Sequence, residues 1–320
     1  MSAALPQLSP APQQRLDAKA WGLLLLLSAI WGASFLSNRA ALAEVGVLTT
    51  VAFRVAGAAV ALWLWIGLRR LPVPRDPALL WRFAVMGMLN NVIPFTLIVW
   101  GQKHVDSGLA AILNAATAIF TVLVVTLVFA DERLTLRKAA GVMLGFAGVA
   151  VTIGPSALTA FNPASLGQLA ILGASLAYAL AATFARVAVR GLRPEVSAAA
   201  MLTAAAIVMV PAALALEGAP GLDYRPATWA ALAYLALVAS ALAYLLYYAV
   251  LGLAGAGNLS LVTLMIPPFA IALGALVYDE ALAPSAWAGF GLLALGLMIL
   301  DRRPRWAFAK KSRETPAASG

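Results

Sequence analysis

Residues 131–148 read DERLTLRKAAGVMLGFAG, and residues 279–296 read DEALAPSAWAGFGLLALG. Asp131-Glu132, Leu134, Gly141, Leu144 and Gly148 are thus matched by Asp279-Glu280, Leu282, Gly289, Leu292 and Gly296. Each stretch ends one apolar run and begins another. A mostly apolar chain that repeats itself over half its length predicts duplicated helical blocks embedded in a membrane.

Composition supports this. Of 320 residues, 63% are hydrophobic and 11% charged, too few polar groups to cover a soluble domain of this size. Backbone groups in hydrocarbon must be satisfied internally, so apolar runs of about 20 residues predict helices. The alternating segments of about 10 residues that mark an outer-membrane barrel are not seen. Cysteine is absent, which excludes disulfides, thiolate nucleophiles and Cys-ligated metals, and the single histidine, His104, leaves no histidine cluster. No catalytic residue, cofactor or metal is therefore expected. A formal charge of +9 on a soluble protein would suggest nucleic acid. Here the basic residues flank apolar spans, so membrane topology accounts for them and no nucleic-acid partner is expected.

Apolar runs between charged or Pro/Gly-rich breaks predict ten transmembrane helices, at 20–39, 46–68, 80–101, 107–129, 136–154, 166–186, 196–216, 227–249, 258–278 and 286–301. The connections are short. Residues 1–19, with Pro6, Pro10 and Pro12, are expected to be a disordered cytoplasmic tail without a signal peptide, and residues 302–320 a basic cytoplasmic tail facing lipid headgroups. With both termini inside, eighteen of the 22 basic residues fall on the cytoplasmic side, against Arg39, Lys103 and Arg225 outside and Arg54 within a span. Five helices per block is an odd number, so the block at 166–301 enters the membrane inverted relative to the block at 20–155. Other matches agree: Trp31 and Arg39 in helix 1 are spaced as Tyr178 and Arg186 in helix 6, and Trp100 corresponds to Tyr248. The fold expected is an all-α membrane protein of two inverted five-helix repeats around a central cavity.

The helix 1 run Trp31-Gly32-Ala33-Ser34-Phe35-Leu36-Ser37-Asn38-Arg39-Ala40 resembles the drug/metabolite transporter superfamily. So do Asp131-Glu132-Arg133-Leu134-Thr135 and the Gly141/Gly145/Gly148 helix. The resemblance spans about residues 20 to 301 and is to the ten-helix branch of bacterial metabolite exporters, some of which export aromatic amino acids. It implies a basket of ten helices working by alternating access in the bacterial inner membrane. One departure stands out: many relatives carry a proline midway along helix 4, where this chain has Ile119, while Pro267-Pro268 stands at the corresponding place in helix 9.

None of the thirteen acidic residues falls in the middle of a predicted span. Exporters of cationic drugs or polyamines need a buried carboxylate to pair with their cargo, and sugar phosphates call for several buried cations. Arg54 alone qualifies, as the partner of a substrate carboxylate or as a cation held by backbone carbonyls. Polar side chains form stripes: Trp31, Ser34 and Asn38 in helix 1; Asn114, Thr117 and Thr121 in helix 4; Ser240, Tyr244 and Tyr247 in helix 8; Ser260, Thr263 and Pro267 in helix 9. Asn90, Asn91 and Pro94 add a polar mid-span in helix 3. Either a water-filled interior or helix-to-helix hydrogen bonding explains the Ser and Thr members. Trp100, Tyr247 and Tyr248 suit an interfacial belt, whereas Trp31 and Tyr178 lie deeper and could stack on a substrate ring.

The expected substrate-binding cavity is Trp31, Ser34, Asn38, Arg54, Asn90, Asn91, Asn114, Thr117, Tyr178, Tyr244, Ser260 and Thr263, with Pro267 and Pro268 as a hinge. The glycine seams suit close helix contact within the chain or in a homodimer. The function expected is export of amino acids, aromatic or neutral ones favoured, and related small metabolites, with the lipid bilayer as the other partner. Export of cationic drugs or polyamines is the alternative within carriers. An intramembrane enzyme on a lipid-linked substrate lacks any visible acid-base cluster, metal ligands or activated nucleophile.

Overall fold

The computed structural model describes residues 18–129, 135–153, 163–188, 192–259 and 261–300. The pair Asp131-Glu132, Ser260 and the greater part of both expected tails lie outside the described residues. Every regular element among the described residues is helical. Helix α1 spans Ala18–Ala41 and α2 Val47–Leu68. Helix α3 covers Ala78–Gly87, passes through a π-helical turn at Met88–Val92 and resumes over Ile93–Gly101. Helix α4 consists of Ser107–Asn114 and Thr117–Val128, and α5, α6 and α7 span Leu136–Ile153, Pro163–Ala188 and Pro194–Leu216. Helix α8 begins as Pro226–Ala233, is π-helical over Tyr234–Leu242 and continues over Ala243–Leu259; α9 spans Leu261–Tyr278 and α10 Pro284–Leu300. Seven of them, α1 to α4 and α6 to α8, are long and apolar enough to cross a bilayer. The bounds read from the sequence differ by a few residues, except that α8 runs on to Leu259 instead of stopping at 249.

The helices alternate between two faces. α1 begins and α10 ends on what we term the terminal face; the connections 42–46, 102–106, 217–225 and 279–283 lie on the distal face. Helix α1 packs on α8 and α9, and α6 packs on α3 and α4. Helix α2 packs on α7 and α8, α7 also on α3, α4 on α9, and α5 on α10. The core is built largely from Ala, Val and Leu, and small residues let backbones approach closely. The two glycine seams meet each other: a Cβ placed on Gly148 would lie 2.7 Å from the Gly289 carbonyl and 2.5 Å from the Leu293 amide.

In α3 the departure from α-helix coincides with a lost donor. Pro94 has no N–H, and the π turn at Met88–Val92 precedes it directly. Helix α4 breaks at Ala115-Ala116 with no proline, and its exposed carbonyls are met by hydroxyls. Ser175 Oγ of α6, which bonds Ile171 O of its own helix at 3.1 Å, also lies 3.3 Å from Leu113 O and Asn114 O, and Thr117 donates to Asn114 O at 2.7 Å. Ile119 is buried and occupies the space a side chain on Gly145 would need. Helix α9, by contrast, stays helical across Pro267-Pro268. At its end Asp279 turns left-handed (φ 52°), which aspartate tolerates better than most residues, and this throws Glu280 back toward Gly274.

Candidate substrate site and distal closure

The polar stripe of α8 organises the centre. Ser240 and Tyr244 are one turn apart and Tyr247 a further turn on, so all three share one face. Each engages a different helix. Ser240 Oγ accepts from Arg54 Nε of α2 at 2.9 Å. The Tyr244 hydroxyl accepts from Asn90 Nδ2 at 2.8 Å and donates to Asn91 Oδ1 at 3.0 Å, both in the π turn of α3. The Tyr247 ring lies 6.0 Å from that of Trp31, whose indole donates to Ala239 O, a carbonyl in the π-helical stretch of α8, at 3.2 Å.

Arg54 is the charged member. Its side chain is buried, with 6% of its surface exposed, and its Cζ sits 3.8 Å over the Phe95 ring. Tyr178, Tyr234 and Tyr244 are its electrostatic neighbours, and no carboxylate pairs with it among the described residues. Guanidinium keeps its charge and carries five N–H donors, and Ser240 takes one of them. Asn91 is fully buried, and its Nδ2 has no partner among the described residues.

Of the residues expected from sequence, Trp31, Arg54, Asn90, Asn91 and Tyr244 converge on α8, and Tyr178 joins them between two packed clusters. Others go elsewhere. Ser34 donates to Trp31 O at 2.6 Å within α1. Asn38 donates to Gln102 Oε1 at 2.9 Å, and Gln102 donates to Phe35 O at 2.9 Å, tying α1 to the distal end of α3. Thr117 and Asn114 sit at the α4 break, where Asn114 Oδ1 is buried without a partner among the described residues. Thr263 and Pro267 line α9, Thr263 half-buried and Pro267 buried, while Pro268 is exposed; Ser260 lies outside the described residues. Phe95, Ser240 and Tyr234 were not among the expected residues, although Ser240 belonged to the α8 stripe.

Sequence reasoning also missed the distal face, where three glutamates each grip the start of a helix remote in sequence. Glu280, with 4% of its side chain exposed, pairs with Arg39 and accepts from the Ser107 and Gly108 amides of α4, both at 3.1 Å. Arg39 also meets Asp106 at 3.2 Å and lies over the Tyr278 ring. Glu217 accepts from the Leu48 and Thr49 amides of α2 at 3.0 and 2.8 Å. Glu44 accepts from the Arg225 amide and Nε at 3.0 and 2.9 Å and from the Thr228 hydroxyl of α8. Carboxylates are stabilised there by unsatisfied N–H groups and the positive helix end. The Thr228 hydroxyl, with help from Arg225, holds the Glu44 carboxyl below its usual range. Partial burial would raise Glu217, but the α2 amides outweigh it and the net shift is also downward. Beside this closure a shallow, wide-open depression of about 280 Å³ lies between α1 and α8, lined in part by Ser37, Ala40, Ala231, Tyr234 and Tyr278. Tyr234 lies on it and also beside Arg54.

A family model for EamA-like transporters matches residues 19–154 and again residues 165–300. A probable terminal-alkyne amino-acid exporter of Streptantibioticus cattleyicolor is 29% identical over 294 residues, covering 90% of this chain and 95% of the relative. A probable amino-acid metabolite efflux pump of Escherichia coli is 27% identical over 298 residues, covering 90% and 97%. A solved crystal structure shares the fold, with a TM-score of 0.63 at 20% identity over 90% of this chain and all of its own. A double match that takes in both halves of the chain leaves one assignment: this protein belongs to the EamA-like transporter family.

Proposed function

We propose that the protein exports amino acids, aromatic or neutral ones foremost, and related small metabolites across the bacterial inner membrane by alternating access. The observation that carries this is Arg54: a buried guanidinium with neutral partners, stacked on Phe95 and within electrostatic reach of Tyr178, Tyr234 and Tyr244. An unpaired cation in low dielectric is costly, so a ligand carboxylate that completes its coordination is favoured there, with aromatic rings nearby to receive an apolar side chain. The printed functions of the two bacterial relatives point the same way, and family membership favours transport over catalysis.

The architecture we propose is ten membrane-spanning helices in two inverted five-helix repeats, with both termini cytoplasmic. Three features support it. Exchanging α1–α5 with α6–α10 turns each packing described above into another or into itself. The π turns fall on corresponding helices, α3 and α8. The family model matches once per half. The three glutamate staples on the distal face support reading this as the state closed to the outside, which opens when the staples release.

Uptake into liposomes carrying the purified protein tests the proposal, over a panel of aromatic and aliphatic amino acids, polyamines and cationic dyes. Amino acids should be transported and compete with one another. Transport of dyes or polyamines alone would overturn the reading.

A further inference from the structure

Every described Asp and Glu sits in a connection or in the first or last turn of a helix, so the centre holds one positive charge, Arg54, and no negative one among the described residues. Ligand selection follows from that imbalance. A carboxylate bound to Arg54 neutralises the site, and the unpartnered Asn91 Nδ2 gives a second donor, held through Tyr244 one helical turn from Ser240. A zwitterion would bring a second cation. Its ammonium would find hydroxyls, amides and rings but no carboxylate, and burying it would cost more than the same solute without a charged amine.

We infer that, resting on that reading of Arg54, the related small metabolites carried beside amino acids are monoanions whose amine is absent or acylated, 2-oxo, 2-hydroxy or N-acyl acids with an apolar or aromatic side chain, and that Arg54 holds them more tightly than the parent zwitterions. The loaded centre is neutral and the empty one positive, so each turnover moves one net negative charge outward. The inside-negative membrane potential then drives export with no proton, and about 100 mV acting on one charge supports an accumulation ratio of about 50-fold. Coupling by potential would let the protein pump with no carboxylate in its centre among the described residues.

Phenylpyruvate, N-acetylphenylalanine and phenylalanine share one ring and differ in amine charge, so they separate the readings. Proteoliposomes with a potassium gradient and valinomycin set the potential, and protein-free liposomes give the background. The two anions should accumulate under an inside-positive potential and leave under an inside-negative one, with the pH gradient clamped. Arg54→Gln should lose this accumulation and Arg54→Lys should keep part of it. Accumulation of the anions that ignores the potential, or that requires an imposed pH gradient, would overturn the inference even if the variants fail to fold. Transport of phenylalanine alone, insensitive to potential, would overturn it while leaving amino-acid export intact. Transport of cationic dyes alone would overturn both.

Discussion

At the scale of single residues, Arg54 and Tyr244 do different work. Arg54→Gln keeps size and polarity and removes the charge. Loss of a charge-assisted hydrogen bond worth about 1.5–3 kcal/mol predicts an apparent KM for carboxylate cargo raised roughly 10- to 150-fold, read from initial transport rates. Tyr244→Phe leaves Asn90 and Asn91 without the hydroxyl that joins them. Stranding those amide groups should destabilise the protein by about 1–3 kcal/mol, measured as a lower midpoint of unfolding in detergent. The sequence made Arg54 visible because a cation inside an apolar run has few explanations. It could not reveal that Ser240, 186 positions away, accepts from Nε, or that Phe95 lies under the guanidinium, because those contacts depend on how helices pack.

At the scale of elements, the glycine seam and the distal staples make separate predictions. Helices α5 and α10 touch through backbone at Gly148 and Gly289, so Gly148→Val forces them apart. Overpacking of this kind should cost about 1–3 kcal/mol or more, again read from thermal unfolding. The staples should govern which face is open. Glu280 folds over Gly274, and a side chain at 274 would occupy the place of the carboxylate. Glu280→Gln and Gly274→Val should both loosen the start of α4. Because the chain has no cysteine, Ser107→Cys provides a single label site that is fully buried when the staple is closed. Its reaction with a membrane-impermeant maleimide should be several-fold faster in either variant than in the parent, and equal rates would remove Glu280 from the gating role. Both acidic pairs read as marking helix ends; Asp131-Glu132 lies outside the described residues, while the left-handed turn at Asp279 closes α9. Its neighbour Glu280 proves to be a clamp between helices, which a one-dimensional pattern cannot disclose.

At the scale of the whole molecule, closure of the distal face should depend on pH in one direction only. Glu44 and Glu217 titrate below the ordinary carboxylate value of 4.5, so the folded, stapled form binds fewer protons than the released form. Their contribution is complete above that value and disappears as pH falls through the lowered values. Labelling of Val47→Cys, a buried position at the start of α2 beside the Glu217 staple, corrected for maleimide chemistry by a free thiol, should be flat from neutrality to about pH 5 and rise only under stronger acid. A rise near neutrality would point to a different group in control of the face. Length, composition and the doubled stretch at 131–148 and 279–296 sufficed to predict helices throughout and to place nearly all their bounds, because hydrocarbon leaves the backbone few other options. The polar stripes likewise predicted several of the side chains that meet at α8. Only tertiary structure decided that α4 breaks without a proline while α9 stays helical through two. It also decided that Asn38 closes onto Gln102 instead of joining Arg54, and that three glutamates staple one face. Hydropathy is a property of each segment in its solvent and is written along the chain, whereas partner choice among helices depends on side chains that approach from distant positions and become neighbours only in three dimensions.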